Sequence, residues 1–257
     1  METHNNSVFT KLMDAKKRRG GGFLLLIDPD RTPQRDYLSL TESAEECRVD
    51  AILVGTSFML NTNFAHAVRQ IKGSTSLPVL IFPGSFAQVT PDADAILFTS
   101  LISGRNPNYL IEEQVRGAPL VRQFGLEVIP TGYMLIESGP LTSVQFISDT
   151  RPIPRSKHDI ACAHALAAQY LGMQLVYLEA GSGALEPVSE RMVYDVAAYV
   201  DIPVIVGGGL TRPEQCAARI EAGASFVVVG NALEHQPKPG WLSELTAAVH
   251  PKETIGV

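Results

Sequence analysis

The segment FLLLIDPDR, residues 23–31, combines a short apolar run with two acidic residues. Its five consecutive apolar residues are too few to cross a membrane and are typical of a buried strand. Because Pro29 ends this strand, Asp28 and Asp30 are expected at its carboxyl end. In parallel α/β proteins, ligands bind at the carboxyl ends of the strands. The segment therefore favours a parallel-sheet strand with a polar site at its end.

Similar β-rich runs recur along the chain in alternation with amphipathic stretches. Eight strands are predicted, at 23–28, 51–55, 78–82, 95–99, 126–137, 174–180, 203–207 and 225–230. Apolar residues at helical spacing occupy 106–124, 157–172, 189–200 and 212–223. This alternation predicts an α/β fold with one domain over 1–257, a (β/α)8 TIM-type barrel. Segment 83–94 between strands 3 and 4 is rich in proline and glycine, so this crossover is expected to lack a full helix.

Composition limits the classes of function. A chain of 257 residues with 45% hydrophobic residues can bury a large core. A net charge of −6 gives no long-range attraction for nucleic acid or anionic lipid, so an anionic ligand needs local binding features. The three cysteines form no CxxC pair, and the histidines show no metal-binding spacing. We find no signal-peptide pattern or membrane-spanning segment and expect a cytoplasmic protein.

Glycine-rich segments follow the last two predicted strands. Gly207, Gly208 and Gly209 come after strand 7, and Gly230 and Asn231 come after strand 8. Glycines let backbone N–H groups approach an anion closely, and barrels often bind phosphate after these two strands. The pattern predicts a phosphate site. The alternative is that these glycines only form tight turns.

Strand 6 and the segment after it, VYLEAGSGA at 176–184, carry a second group of polar residues. Strand alternation places Tyr177 and Glu179 on one face. Phosphate would repel the Glu179 carboxylate, so we expect this group to orient or deprotonate a substrate hydroxyl. A structural ion pair with a neighbouring cation is the alternative.

A long connection follows strand 5, at 138–159, and it is expected to be irregular. It contains three prolines and the basic residues Arg151, Arg155 and Lys157. These side chains could contact an anionic substrate, or they could simply be surface charges.

Five motifs in order carry a family resemblance: LIDPDR, AILVGTS, VYLEAGSG, VGGGL and VGNAL. Together they resemble the geranylgeranylglyceryl phosphate synthase family, which includes the PcrB-type heptaprenylglyceryl phosphate synthases, over residues 20–235. The resemblance implies a magnesium-dependent prenyltransferase of ether-lipid biosynthesis. Its substrates would be sn-glycerol 1-phosphate, alkylated at the 3-hydroxyl, and a prenyl diphosphate, expected to be geranylgeranyl diphosphate. We also expect a homo-oligomer.

The resemblance also implies roles for individual residues. Asp28 and Ser57 would bind Mg²⁺, which prefers hard oxygen ligands. Glu179 and Tyr177 are the candidate catalytic residues because of their shared face on strand 6. The implied substrate-binding residues are Tyr177, Leu178, Glu179, Ala180, Gly181, Ser182, Gly183, Gly208, Gly209, Gly230 and Asn231. Archaeal members often have lysine at the position of Leu26, so a phosphate contact is either missing here or supplied by Arg31.

The prenyl tail would need an apolar groove, for which Phe58, Tyr109, Tyr133 and Phe146 are candidates or simply core residues. Two other functions fit part of the pattern. One is a different phosphate-binding barrel enzyme that acts on a sugar or indole phosphate. The other is a non-catalytic barrel that senses a phosphorylated metabolite, and dependence on magnesium would separate it from a transferase.

Overall fold

The computed structural model describes residues 7–60, 63–230 and 240–254. Eight parallel strands pair in chain order, and β8 pairs with β1 to close a barrel. The strands are β1 (Gly22–Ile27), β2 (Ala51–Val54), β3 (Val79–Ile81), β4 (Ala95–Leu101), β5 (Glu127–Leu135), β6 (Leu175–Glu179), β7 (Val204–Gly207) and β8 (Phe226–Val229). Each lies within two residues of its predicted bounds, and the predicted (β/α)8 barrel is confirmed.

Helices cover the outside of this barrel. They are α1 (Val8–Arg19), α2 (Tyr37–Glu46), α3 (Phe64–Gly73), α4 (Glu113–Phe124), α5 (Ser143–Ser148), α6 (His158–Tyr170), α7 (Glu190–Ala197), α8 (Pro213–Glu221), α9 (Trp241–Val249) and α10 (Pro251–Thr254). A π-helical turn, Asn108–Glu112, precedes α4. Within the described residues, no helix has both the length and the hydropathy required to cross a membrane.

Burial on both strand faces explains the unbroken apolar runs. In β1, Phe23 and Leu25 belong to the core between strands and helices, whereas Leu24 packs inside the barrel with Leu53 and Leu80. Alternate side chains thus enter two separate cores, and neither face can be polar. The same alternation in β6 directs Tyr177 into the barrel.

Helix α1 lies across the amino-terminal end of the barrel. Val8 and Leu12 pack against the interior side chains. At the start of β5, Glu127 accepts hydrogen bonds from the backbone N–H groups of Val8 (2.5 Å) and Phe9 (2.9 Å). A carboxylate at a helix N-terminus satisfies otherwise unpaired donors. With this end covered, the carboxyl ends of the strands form the accessible face.

Two connections bear on the predictions. Residues 82–94, all of which are described, contain the short 3-10 turn Phe86–Gln88 and no full helix, as predicted. The segment 138–159 was expected to be irregular, and this was wrong in part because α5 forms within it. Thr142 caps α5 by accepting a hydrogen bond from the Gln145 N–H at 3.4 Å. Ile153 then forms a parallel bridge with Ile136.

Candidate active site

A cavity of about 320 Å³ opens at the carboxyl ends of the strands. Residues from most strand ends and the loops after them line it. Nine of the site residues predicted from the sequence line this cavity together: Asp28, Ser57, Tyr177, Glu179, Ser182, Gly183, Gly208, Gly209 and Gly230. Residues separated by about 200 positions thus share one site because parallel strands end at one face.

The remaining members of the set have other positions. Leu178 and Ala180 belong to the core between barrel and helices and are not among the described residues that line the cavity. Gly181 is also absent from that lining, but its backbone N–H donates to Oε1 of Glu179 at 2.6 Å. Asn231 lies outside the described residues. In the structure, Leu178 and Ala180 could therefore contact a ligand only through their backbone atoms.

Glu179 is a buried carboxyl group at the end of β6, with 6% of its surface exposed. Burial raises the pKa of Glu179 from 4.5 to about 7. The hydrogen bond from the Gly181 N–H and the nearby hydroxyls of Tyr177 and Tyr133 act in the opposite direction and lower this pKa. Desolvation disfavours the charged form of a carboxyl group, which explains the direction of this shift. Near neutral pH, Glu179 can therefore both accept and release a proton. No ion pair with a cation is found for Glu179 among the described side chains, contrary to the structural alternative.

Two tyrosines face this carboxyl group from neighbouring strands. Tyr177 stacks on Phe82 with ring centroids 5.1 Å apart, and its ring centroid lies 5.4 Å from that of Tyr133. Burial and the nearby Glu179 hold the pKa of both tyrosines well above 10. The Tyr177 hydroxyl lies near enough to Glu179 to affect its pKa, but it has no geometrically defined hydrogen-bond partner within the described residues. This buried donor is available to a substrate oxygen.

The glycines after β7 adopt conformations that other residues rarely occupy. Gly208 and Gly209 have φ angles of +81° and +70°. A Cβ atom on Gly208 would contact Oε1 of Glu179 and would lie 2.6 Å from the Gly181 backbone nitrogen. Glycine is therefore required by backbone angle and by space. The backbone of this loop therefore packs directly against Glu179 and Gly181.

Asp28 and Asp30 point to different places. Asp28 lines the cavity, where Oδ1 accepts the Asp30 N–H at 2.9 Å and Oδ2 lies 3.6 Å from Nε of Arg31. Burial raises the pKa of Asp28, although Thr56, Asp30 and Arg31 oppose this shift. Asp30 lines an adjacent, smaller cavity together with Arg31, and its Oδ2 accepts the Leu60 N–H at 2.7 Å.

These contacts allow a test of whether a magnesium ion would fit. Within the described residues, no group of three or more His, Cys, Asp or Glu side chains is arranged to hold a metal ion. Zinc and calcium sites usually need such clusters, whereas Mg²⁺ often takes one or two protein oxygens and completes its shell with water and phosphate. A half-buried Asp28 carboxylate beside the Ser57 loop fits this last pattern.

The other end of the cavity is mainly apolar, although the polar residues Thr99, Glu113, Gln114 and Ser148 also line the cavity. It is lined by Phe86, Val89, Phe98, Leu101, Tyr109, Gly117, Val144 and Ile147. Of the predicted groove residues, Tyr109 and Tyr133 line the cavity, whereas Phe58 and Phe146 are 54% and 71% exposed and lie outside its lining. Sequence reasoning missed Val144 and Ile147, whose spacing of three could have revealed a helix face in 138–159.

The basic residues of segment 138–159 are not among the described residues that line this cavity. Arg155 forms an ion pair with Glu186 at 3.2 Å and donates to the Pro187 carbonyl at 2.8 Å. Neither Arg151 nor Lys157 is among the described residues that line the cavity. Their positions favour the surface-charge interpretation.

Known proteins resemble this chain over most of its length. The PcrB family matches residues 13–248. A geranylgeranylglyceryl phosphate synthase of Chitinophaga pinensis is 42% identical over 246 residues, which cover 96% of this chain and 97% of that protein. A geranylgeranylglyceryl phosphate synthase of Pyrococcus horikoshii is 48% identical over 211 residues, which cover 82% of each chain.

A solved structure shares both the fold and the sequence pattern. It is the (S)-3-O-geranylgeranylglyceryl phosphate synthase of Thermoplasma acidophilum in complex with its substrate sn-glycerol 1-phosphate. Its TM-score is 0.89 at 35% identity, and the match covers 96% of this chain and 99% of that one. The resemblance found in the motifs is confirmed, and this chain belongs to the PcrB family.

Proposed function

We propose that this protein transfers a prenyl group from its diphosphate to the 3-hydroxyl of sn-glycerol 1-phosphate. The observation that carries the proposal is one cavity with two different ends. Glu179, Gly208 and Gly209 lie at its polar end, and apolar side chains from the β3–β4 connection, β4 and α5 lie at the other, beside Gly117 of α4. Relatives of the chain are named geranylgeranylglyceryl phosphate synthases, so we expect the prenyl group to be geranylgeranyl.

Glycerol phosphate would bind at the polar end. Backbone N–H groups near Gly208, Gly209 and Gly230 would hold its phosphate. Glu179 would accept a hydrogen bond from a glycerol hydroxyl, and the unpaired Tyr177 hydroxyl could donate to a substrate oxygen. Such fixed contacts orient the attacking oxygen, which can supply a large part of the rate.

The proposed reaction is an alkylation. The bond between C1 of the prenyl chain and the diphosphate oxygen breaks, and its electron pair leaves with diphosphate. The glycerol 3-hydroxyl oxygen bonds to C1, and its proton passes to the Glu179 carboxylate. A pKa of about 7 suits this exchange because the carboxylate can take the proton and then release it near neutral pH.

We propose that Asp28 and Ser57 bind Mg²⁺ beside the diphosphate. When bound, magnesium neutralises charge that develops on the leaving group. Asp28 is fixed for this task by the Asp30 N–H and by Arg31 on its second oxygen. The Arg31 side chain lines the adjacent cavity and is not among the described residues of the main one, so it acts here through Asp28.

The test is a transfer assay on the purified protein. Sn-glycerol 1-phosphate, Mg²⁺ and prenyl diphosphates of increasing length are supplied, and the product is identified by its mass. We expect a prenylglyceryl phosphate that disappears when a chelator is added. If glycerol phosphate binds but no diphosphate yields product with magnesium present, the protein is a phosphometabolite-binding barrel and the proposal is wrong.

A further inference from the structure

Gln88 has an unusual set of partners. It lies in the 3-10 turn that replaces a helix between β3 and β4, and only 1% of its surface is exposed. Its Nε2 donates to the Thr56 carbonyl at 2.8 Å, and its Oε1 accepts the Thr56 N–H at 3.4 Å. The same oxygen accepts the Gly84 N–H at 3.1 Å. One side-chain amide thus engages both backbone groups of Thr56, as a neighbouring strand would.

These bonds join two loops at the mouth of the cavity. Thr56 and Ser57 follow β2, and Gly84 follows β3. A Cβ atom on Gly84 would contact the Thr56 carbonyl oxygen and would lie 3.2 Å from the Ser57 carbonyl oxygen. The backbones are therefore packed directly against each other, and Gln88 occupies the buried space beneath them.

The same loop is also fixed at its other end. The Leu60 N–H donates to Asp30, whose own N–H donates to Asp28. Ser57 thus lies between two fixed points, one provided by Gln88 and the other by the Asp28–Asp30 turn. Fixed hydrogen bonds behind a ligand hold it in the geometry that binding needs.

We infer that Gln88 is a positioning residue that holds the Thr56–Ser57 backbone so that Ser57 and Asp28 together bind a divalent cation with diphosphate. This inference rests on the proposed function. A buried apolar side chain could fill the same volume, but it would leave the Thr56 and Gly84 N–H groups and the Thr56 carbonyl without these bonds. The loop would then lose its fixed position relative to Asp28.

The test compares Gln88→Leu and Gln88→Glu with a matched control, Gln169→Leu. Gln169 also joins two segments through both amide atoms, since it accepts the Asp201 N–H at 2.7 Å and donates to the Asp201 carboxylate at 3.0 Å. It lies near the end of α6 and is not among the described residues that line the cavity. It therefore controls for the loss of a side-chain amide that joins two segments away from the site.

Two equilibrium measurements are made on each folded variant. Mn²⁺ binding in the presence of inorganic diphosphate is followed by electron paramagnetic resonance. Binding of sn-glycerol 1-phosphate without metal is followed by calorimetry. For Gln88→Leu we expect Mn²⁺ affinity to fall by about 10-fold to 100-fold, the usual cost of losing a residue that orients a metal ligand. Glycerol phosphate affinity should stay within about 2-fold, and the Gln169 control should change neither value.

If Gln88→Leu does not fold, the same measurements on Gln88→Glu test the inference. This variant keeps the oxygen that accepts the Thr56 and Gly84 N–H groups but loses the donor to the Thr56 carbonyl. Unchanged Mn²⁺ affinity in the folded variant would overturn the inference about Gln88 but not the proposed function. Equal losses of Mn²⁺ and glycerol phosphate affinity would also overturn it, since they indicate general disruption. A wild-type protein that binds no Mn²⁺ with diphosphate would instead overturn the proposed metal site, and the inference with it.

Discussion

Replacement of Glu179 by glutamine tests the central group of the site. The side chain keeps its shape and an oxygen that can accept the Gly181 N–H, now 2.6 Å from Oε1. It loses the ability to ionise and to accept a proton. The variant therefore separates the proton-transfer role of Glu179 from its role in positioning the substrate.

The size of the stability effect follows from the pKa. In the unfolded chain this carboxyl group ionises near 4.5, and in the folded protein it does so at about 7. Its contribution to folding is therefore fully present below pH 4.5 and is lost as the pH rises through 7. The shift corresponds to about 3 kcal/mol of unfolding free energy at most. The unfolding free energy of Glu179→Gln should not show this decrease with rising pH, because the amide does not titrate.

Two assays follow from this argument. Unfolding temperature is measured from pH 4.5 to pH 8 for both proteins, and we expect the wild type to lose stability relative to Glu179→Gln as the pH rises. The second assay is kcat/KM against pH. Wild-type activity should rise through pH 7 as the carboxylate forms, and Glu179→Gln should be about 10²-fold to 10⁴-fold slower, as for loss of a general base. Its affinity for glycerol phosphate should fall much less.

Either assay can refute the reasoning. Parallel stability curves for the two proteins would contradict a buried carboxyl group that keeps its proton up to pH 7. Unchanged turnover in Glu179→Gln would remove Glu179 as the base and leave it as a positioning residue. Glu179→Ala serves as the comparison, since it should weaken both glycerol phosphate binding and turnover.

Three further variants probe the other parts of the cavity. Asp28→Asn should lower turnover by at least about 100-fold with little change in unfolding temperature, because it removes the charge that we propose binds the metal; near-normal turnover would contradict the metal assignment. Gly208→Val should reduce glycerol phosphate affinity but not diphosphate affinity in calorimetry, since its Cβ would contact Glu179; two unchanged affinities would place the phosphate elsewhere. Gly117→Leu should shift product masses toward shorter prenyl groups, because the new side chain would enter the apolar end of the cavity; a Cβ atom on residue 117 would lie 3.6 Å from the Cβ atom of Phe86. An unchanged preference for prenyl length would place the tail elsewhere.

The strands could be predicted because the barrel buries both of their faces. Unbroken runs such as 51–55 cannot belong to a half-exposed sheet, and their length excludes long helices. Helix α5 was missed because prolines on both sides of Ser143–Ser148 suggested an irregular loop. Its cap, Thr142, and its apolar pair, Val144 and Ile147, were local signals that fit a single helical turn.

The position of a predicted residue in the cavity could be foreseen where backbone geometry dictates the residue. Gly208 is required by a positive φ and by the nearness of Glu179, so the glycine pattern carried real information. Leu178 and Ala180 were included because a whole motif was carried over. The alternation that places Tyr177 and Glu179 in the cavity could have set these two side chains apart. Gln88 could not be found from sequence, since its partner Thr56 is 32 residues away and contributes backbone atoms.

The missing helix between β3 and β4 explains how a barrel could hold a long hydrocarbon. Interior positions of such a barrel are filled by side chains, here including Leu80 and Tyr177, so a prenyl tail cannot pass down the axis. Its available path lies outside the strands, in the layer that helices normally occupy. The short turn Phe86–Gln88 leaves part of that layer open, and Phe86 and Val89 line it opposite Gly117 of α4. The same short turn places Gln88 beneath Thr56. One departure from barrel symmetry thus provides both the apolar end of the cavity and the support for its proposed metal-binding loop.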